Sequence, residues 1–395
     1  MSRLKVAVVA DLLEEGWPSM DLVAGMLVDR LRAEHSNTID VTLVRPPLRR
    51  RLTWIPGSAR LGRVVMLDRI ANRLWDYPRL IGAASRDFDL FHLVDHSYAQ
   101  LVHRLPAERT LVTCHDLDTF RSILEPELEP RSAAFRAMTR HILNGLRKAA
   151  LVACDTKATR DDLVSKAGVD PARTRVIPNG PHPSCTPIPE PAADAEAARL
   201  LGGRRTTDLL HVGSTIARKR IDVLLRVIAA VRRHRPDVRL VRVGGPFTGE
   251  QRVLVRDLGL DDAILQLPFL DRSTLSAIYR RSALVLQPSE REGFGLPVLE
   301  ALACGTPVVA SDIEALREVG GQAVAYCTPY DVEGWARTVV GALAERDGKP
   351  EHWRERRRVG IERASAFSWS RYAADVAGLY RQMIPAGAGR VMAAQ

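Results

Sequence analysis

The feature that most constrains the fold is an alternation, kept up along most of the chain, of short apolar runs with longer stretches of helical periodicity. A short run followed by a helical crossover is a βαβ unit, and units in series build a parallel sheet. In the first half the runs are Lys5–Ala10, Asp40–Val44, Leu90–Val94, Thr110–Thr113, Leu151–Cys154 and Arg175–Ile177, with helices such as Asp21–Glu34 and Arg131–Ala149 between them. The rhythm restarts at Asp208–Val212 and continues through Arg239–Val243, Ile264–Leu267, Leu284–Gln287, Pro307–Ala310 and Ala323–Tyr326. Helices over Ile221–Arg235, Arg272–Arg280 and Pro297–Ala303 separate these runs. The restart predicts two doubly wound α/β domains, 1–185 and 208–368, and 395 residues with 46% hydrophobic content suffice for two cores. Between them Pro181, Pro183, Pro187, Pro189 and Pro191 argue against regular structure and Gly202–Gly203 permit bending, so 186–207 is expected to be a linker suited to a hinge. Ligands of open α/β sheets bind beyond the carboxyl ends of the strands, which places the expected site in a cleft between the two domains.

Composition narrows the class. Five scattered cysteines, Cys114, Cys154, Cys185, Cys304 and Cys327, form no CxxC pair, which argues against a zinc site or a disulfide framework and for a reduced cytosol. The N-terminal MSRLKVAVVADLLEEGW has neither the length nor the flanks of a signal peptide, and no apolar run approaches the length of a membrane span, so a cytoplasmic location is expected. The net charge of +10 calls for an anionic partner. Nine arginines, Arg45, Arg49, Arg50, Arg51, Arg60, Arg63, Arg69, Arg73 and Arg79, are offset locally only by Asp68 and Asp76. Interleaved with them are Trp54, Ile55, Val64, Leu67, Ile70, Leu74 and Trp75, the later ones at roughly helical spacing. Two readings stand for 45–79: a surface resting on anionic lipid at the inner face of a membrane, or a solvated helix whose apolar face enters the core. Nucleic acid is disfavoured, because the arginines lack an aromatic stacking platform.

Three stretches carry the chemistry. In SEREGFGLPVLEALACGTPVVASD the strand Leu284–Gln287 leads to a glycine-bracketed turn, and Pro297 suits the first turn of the helix that follows. Gly293 and Gly295 let backbone amides approach a phosphate at the positive end of that helix. Carboxylates beside a phosphate would repel it, so Glu292 and Glu300, the latter expected in the first helical turn, should bind hydroxyl-rich parts of the same ligand. In LLHVGSTIARKRIDVLL, Arg218, Lys219 and Arg220 follow the strand-end Gly213 and precede a helix, where basic side chains can neutralise a departing diphosphate without a metal ion. The alternative, solvated charges at a helix start, is less consistent with the unfavourable dipole there. In TLVTCHDLD a strand ends at His115, placed to bond a substrate hydroxyl or act in proton transfer. Asp116 and Asp118 have the DxD spacing that holds a divalent cation elsewhere, a spacing common by chance, and no metal is expected.

The run EGFGLPVLEALACGTPVVAS, with Glu292 and Glu300 as E-x7-E, resembles the donor-site motif of retaining GT-B glycosyltransferases of family 4. HVGSTIARKR, VIPNG, His115 and the closing FSWSRYAADVAGLYRQM follow in that family's order, so the similarity covers nearly the whole chain and is most specific in its C-terminal half. The resemblance implies a GT-B fold, two Rossmann-like domains facing a cleft, with a final helix over 369–385 returning to the first. It also implies that Glu300 binds the nucleotide ribose, Glu292 the transferred sugar, and Gly293, Phe294, Gly295 and Leu296 the phosphates through their amides, beside Gly213 and Ser214. Lys219 and Arg218 would stabilise the leaving diphosphate, and His115 would sit beside the sugar. Two departures stand out: Ser214 replaces an arginine many relatives carry, a loss for which Arg218 can substitute, and the loop DLLEEGWPSMD lacks their glycine pair. HDL together with RKR leans toward the mannosyltransferase-like branch and GDP-mannose, with UDP-sugars close behind. The expected activity is metal-independent, cofactor-free hexosyl transfer from a nucleotide sugar, in cell-surface glycan or glycolipid synthesis, to a lipid-linked sugar, a polysaccharide end or a small metabolite. The rivals are a sugar-nucleotide epimerase or phosphorylase on the same scaffold and a non-catalytic sugar-nucleotide-binding protein.

Overall fold

The computed structural model describes residues 3–54, 62–202 and 206–384; Ile55, Arg60 and Gly203 lie outside them, as does the side chain of Arg63. Two compact units divide the chain: the first reaches to Asn179 and takes in the chain from Trp369 onward, and the second holds Gly180–Ser368.

The first unit is built on β1 (Leu4–Val9), β2 (Ile39–Val44), β3 (Leu90–Leu93), β4 (Thr110–Cys114), β5 (Leu151–Cys154) and β6 (Thr174–Val176). They form one parallel sheet in the order β2-β1-β3-β4-β5-β6. The second unit repeats the plan with β7 (Thr207–Val212), β8 (Val238–Val243), β9 (Ile264–Leu267), β10 (Leu284–Gln287), β11 (Val308–Ser311) and β12 (Val324–Cys327), in the order β12-β11-β10-β7-β8-β9. The doubly wound expectation therefore holds in both halves, and for a plain reason. Central strands covered by helices on both faces are buried throughout, as in β3, β8 and β11, so apolar residues predominate along them instead of alternating with polar ones. Strand order reverses between β1 and β3 in the first sheet and between β7 and β10 in the second. At such a reversal the loops leave in opposite directions and open a crevice at the carboxyl ends.

The proline-rich connection is not the irregular linker expected. Pro191–Leu201 is a helix whose Ala193, Ala197 and Leu201 enter the core of the second unit. Pro191 opens the helix, where a missing N–H costs nothing, and the alanine-rich run behind it has high helix propensity. Asp194 anchors it through an ion pair with Arg280 at 3.1 Å. The second unit thus begins before residue 208. The last helix, Trp369–Met383, lies in the first unit: Ser370 donates to Glu34 at 2.7 Å and the Tyr380 hydroxyl meets Nδ1 of His92 at 2.8 Å. Among the described residues no helix is long and apolar enough to cross a membrane.

Candidate functional site

In the second unit the reversal between β7 and β10 sets two loops side by side. After β7 the chain turns at Gly213, makes a 3-10 turn over Ala217–Lys219, and passes through Arg220 at φ 48° into the helix Ile221–Arg232. After β10 it runs from Pro288 to Gly295 and enters the helix Leu296–Ala303. The Glu290 amide donates to the Arg218 carbonyl at 2.8 Å, and the Arg218 guanidinium to the Arg291 carbonyl at 3.0 Å, so the loops are stitched together.

Glu292 stands where they meet. Its Oε1 accepts from Lys219 Nζ at 2.6 Å, Gln287 Nε2 at 2.6 Å and Ser289 Oγ at 2.7 Å, and its Oε2 from Arg218 at 2.9 Å. Burial by itself would favour the protonated acid, but the two cations and these hydrogen bonds outweigh it and hold the carboxyl well below its usual range. The structure thus brings Arg218, Lys219 and Glu292 into one largely buried cluster, with Arg218 at its more open edge. Gln287 and Ser289 escaped sequence reasoning; their only signal is polarity at the end of the apolar run LVLQPSE.

Glu300 is elsewhere. The helix starts at Leu296, so Glu300 lies in its second turn rather than its first, 2% exposed, accepting from Arg272 at 3.2 Å and from the Tyr279 hydroxyl at 3.1 Å. Burial raises its pKa against the pull of Arg272 and Tyr279. The turn before it depends on glycine: Gly295 has φ 93°, and a Cβ there would lie 2.5 Å from Leu316. The Phe294 ring is buried edge-on against Phe367 at 5.9 Å, so its side chain serves packing.

In the first unit His115 follows β4, 6% exposed. Nδ1 meets Asp155 at 2.7 Å and Nε2 the Val94 carbonyl at 2.7 Å, leaving neither ring nitrogen for a hydroxyl or a proton in this arrangement. Burial pulls its pKa down, but Asp155, then Asp95 and the Val94 carbonyl, prevail and lift it to about 9. Both ring nitrogens thus face acceptors, an arrangement that favours the protonated ring. Beside it, at the reversal between β1 and β3, lie Asp11 and His96, which sequence reasoning did not select. The His115 amide donates to His96 Nδ1 at 3.3 Å, while His96 Nε2 and Asp11 Oδ1 are buried without a hydrogen-bond partner among the described residues. Burial, then Asp95 and Asp21, push Asp11 up to about 7, although Arg45 is 3.7 Å away and itself pairs with Asp21 at 2.6 Å. Asp116 accepts the Asp118 amide at 3.0 Å, closing a local turn. Among the described residues no three His, Cys, Asp or Glu side chains gather as metal ligands would.

With this geometry established, comparison with known proteins is informative. Residues 23–184 match the model of the family described as Glycosyltransferase Family 4, and residues 201–359 that of Glycosyl transferases group 1. The D-inositol 3-phosphate glycosyltransferase of Gordonia bronchialis is 35% identical over 230 residues, which cover 54% of this chain and 48% of that protein. The chain spans about half the length of the curated relatives it matches. Among solved structures, sucrose-phosphate synthase from Thermosynechococcus elongatus superposes with a TM-score of 0.72 at 23% identity, covering 96% of this chain and 99% of that one. Anabaena HepE in complex with UDP-glucose gives 0.70 at 17% identity, covering 96% and 100%. The chain has the GT-B fold, and its two halves match, in order, two glycosyltransferase family models.

Proposed function

We propose that this protein is a retaining glycosyltransferase that moves a hexose from a nucleotide diphosphate sugar to an acceptor hydroxyl. The observation that carries the reading is the Arg218–Lys219–Glu292 cluster at the strand-order reversal between β7 and β10, where open α/β sheets bind nucleotides. Leaving-group departure puts negative charge on the diphosphate. Lys219, Arg218 and the amides of Gly293 to Leu296 would receive it, which is the task a metal ion performs in other transferases. Glu292 already accepts four hydrogen bonds, so its lone pairs are poor nucleophiles, and this favours attack by the acceptor on the face the diphosphate leaves over a covalent glycosyl-Glu292 intermediate. Glu300 would take the ribose hydroxyls. The candidate donors are UDP-sugars and GDP-mannose, and the names of the curated relatives make D-inositol 3-phosphate the first acceptor to test. Asp11 and His96, with buried polar atoms to satisfy, suit a polyhydroxyl acceptor in the first unit.

The reading extends to contact with an anionic membrane from the cytoplasmic side. Trp54 (71% exposed), Met66, Leu67, Ile70, Leu74 and Trp75 (59%) are all exposed, alongside the exposed Arg49, Arg50 and Arg79. These apolar side chains do not enter the core, which supports the lipid reading of the two offered by sequence.

The test is a thermal-shift screen of UDP, GDP, ADP and dTDP and their sugar conjugates, with and without magnesium, followed by transfer to D-inositol 3-phosphate from whichever donor binds. We expect one nucleotide to raise Tm without magnesium. Lys219→Ala should lower turnover by about a hundredfold or more. No shift with any nucleotide would overturn the reading, and normal turnover in the variant would remove Lys219 from it.

A further inference from the structure

Two polar residues interrupt the apolar strands beneath the donor-site turn. His211 on β7 and Arg242 on β8 are paired in register, so their side chains share one face of the sheet, and both are fully buried. A buried guanidinium normally comes with a carboxylate, because the cost of taking it out of water is otherwise large. Among the described residues no carboxylate pairs with Arg242. Burial alone governs its acidity and pulls its pKa down to about 10. Among the described residues its Nε has no hydrogen-bond partner, and neither ring nitrogen of His211 has one. The other guanidinium nitrogens hold backbone: one donates to the Gly213 carbonyl at 2.9 Å and one to the Gly245 carbonyl. The Phe247 ring lies 5.1 Å from the guanidinium carbon.

The clamp on Gly213 has a geometric consequence. Across a planar trans peptide the carbonyl and the next N–H point in opposite directions. With the Gly213 oxygen drawn toward Arg242, the Ser214 N–H is turned away from it. The same oxygen is hemmed in by backbone: Gly244 at φ 141° packs so tightly that a Cβ there would lie 2.1 Å from the Gly213 oxygen. Lys219 closes over the same glycine, with its Cε 3.7 Å from where a Gly213 Cβ would stand.

We propose that Arg242 is a positioning residue of the donor site, which aims the Ser214 N–H at the donor's diphosphate and holds beneath the turn a positive charge whose counter-ion is that diphosphate. The inference rests on the donor-site reading above. It accounts for how a chain with Ser214 in place of an arginine still offers the phosphates both a donor and a charge. Among the described residues no anion balances Arg242, and a diphosphate supplies one.

The experiment uses calorimetry with the nucleoside diphosphate that binds the unsubstituted chain, and ligand-observed NMR with the matching uncharged nucleoside, on Arg242→Met and Arg242→Lys. We expect Arg242→Met to weaken diphosphate binding by about tenfold or more, the size of one partly screened charge interaction, while changing nucleoside binding by less than about twofold. Its unliganded Tm should hold or rise, because an unmatched buried charge has gone. Arg242→Lys, which keeps the charge, should recover part of the loss and reports on the proposal even if the methionine variant does not fold. Parental diphosphate affinity in the methionine variant, or in both variants, would overturn the proposal. Equal losses for nucleoside and diphosphate would reduce Arg242 to a structural clamp and overturn it too. If no nucleoside diphosphate binds the unsubstituted chain, the donor-site reading fails first and takes this inference with it.

Discussion

His115 and Glu292 show what an ionisable side chain becomes once it is buried among partners. Each was selected from sequence for its place at a strand end, and each is engaged on every side: His115 by Asp155 and Val94, Glu292 by Lys219, Arg218, Gln287 and Ser289. Gln287 and Ser289 stand close to Glu292 in sequence, but its two cations and both partners of His115 come from distant segments, which no local pattern could reveal. The histidine makes a testable claim about pH. Its unfolded value is 6.5 and its folded value about 9, so between these the native state keeps a proton the unfolded state has lost, and stability falls as pH rises through that window. The contribution is complete below pH 6.5 and, at 1.36 kcal/mol per unit, amounts to about 3 kcal/mol. Asp11, raised from 3.8 to about 7, also loses stability as pH rises, in a lower window that overlaps the histidine's near pH 7, so the fall above about pH 8 belongs to the histidine. Urea denaturation from pH 6 to 9.5 should show the loss, and Asp155→Asn should flatten it. An unchanged slope in that variant would mean that Asp155 does not hold the proton.

Helices and turns were legible where local chemistry dictates them and illegible where packing does. The strand-turn-helix around Gly293 to Glu300 follows from an apolar run, two glycines and a proline, and it is present with its start one residue early. That one residue, together with burial against Arg272 and Tyr279, moves Glu300 from the helix mouth into the interior. The helix Pro191–Leu201 was missed because its prolines were counted as breakers, although the last of them is a helix starter and the alanine stripe behind it finds a core to enter. At Gly295 both a backbone at φ 93° and the Leu316 side chain oppose any larger residue. Gly295→Ala should lose about 1–3 kcal/mol in urea denaturation and weaken nucleotide binding. Adding Leu316→Ala should relieve the clash while leaving the backbone strain. Full recovery in the double variant would show that the glycine is needed only for space.

For the molecule as a whole, the net charge of +10 is less informative than where the exposed part of it sits. Arg51 and Arg49 both pair with Asp76 and Arg69 pairs with Glu15; Arg49, Arg50 and Arg79 are exposed, as are Trp54, Met66 and Trp75, and Arg79 lies over the Trp75 ring. Changing Arg49, Arg50 and Arg79 to Ser should weaken sedimentation with phosphatidylglycerol vesicles by about 1 kcal/mol per arginine and spare the low background on phosphatidylcholine. Unchanged sedimentation would return the segment to ordinary solvated surface. The sequence by itself determined the two parallel sheets, the strand ends and the loops that carry Arg218, Lys219, Glu292 and His115, because hydrophobic periodicity and glycine or proline punctuation act over a few residues. Tertiary structure alone decided which charges are matched: two cations on Glu292, His115 held between Asp155 and the Val94 carbonyl, and Arg242 with carbonyls but, among the described residues, no carboxylate. The physical reason is that the cost of a buried charge depends on neighbours brought in from across the sheet, and strand order, not sequence spacing, chooses them.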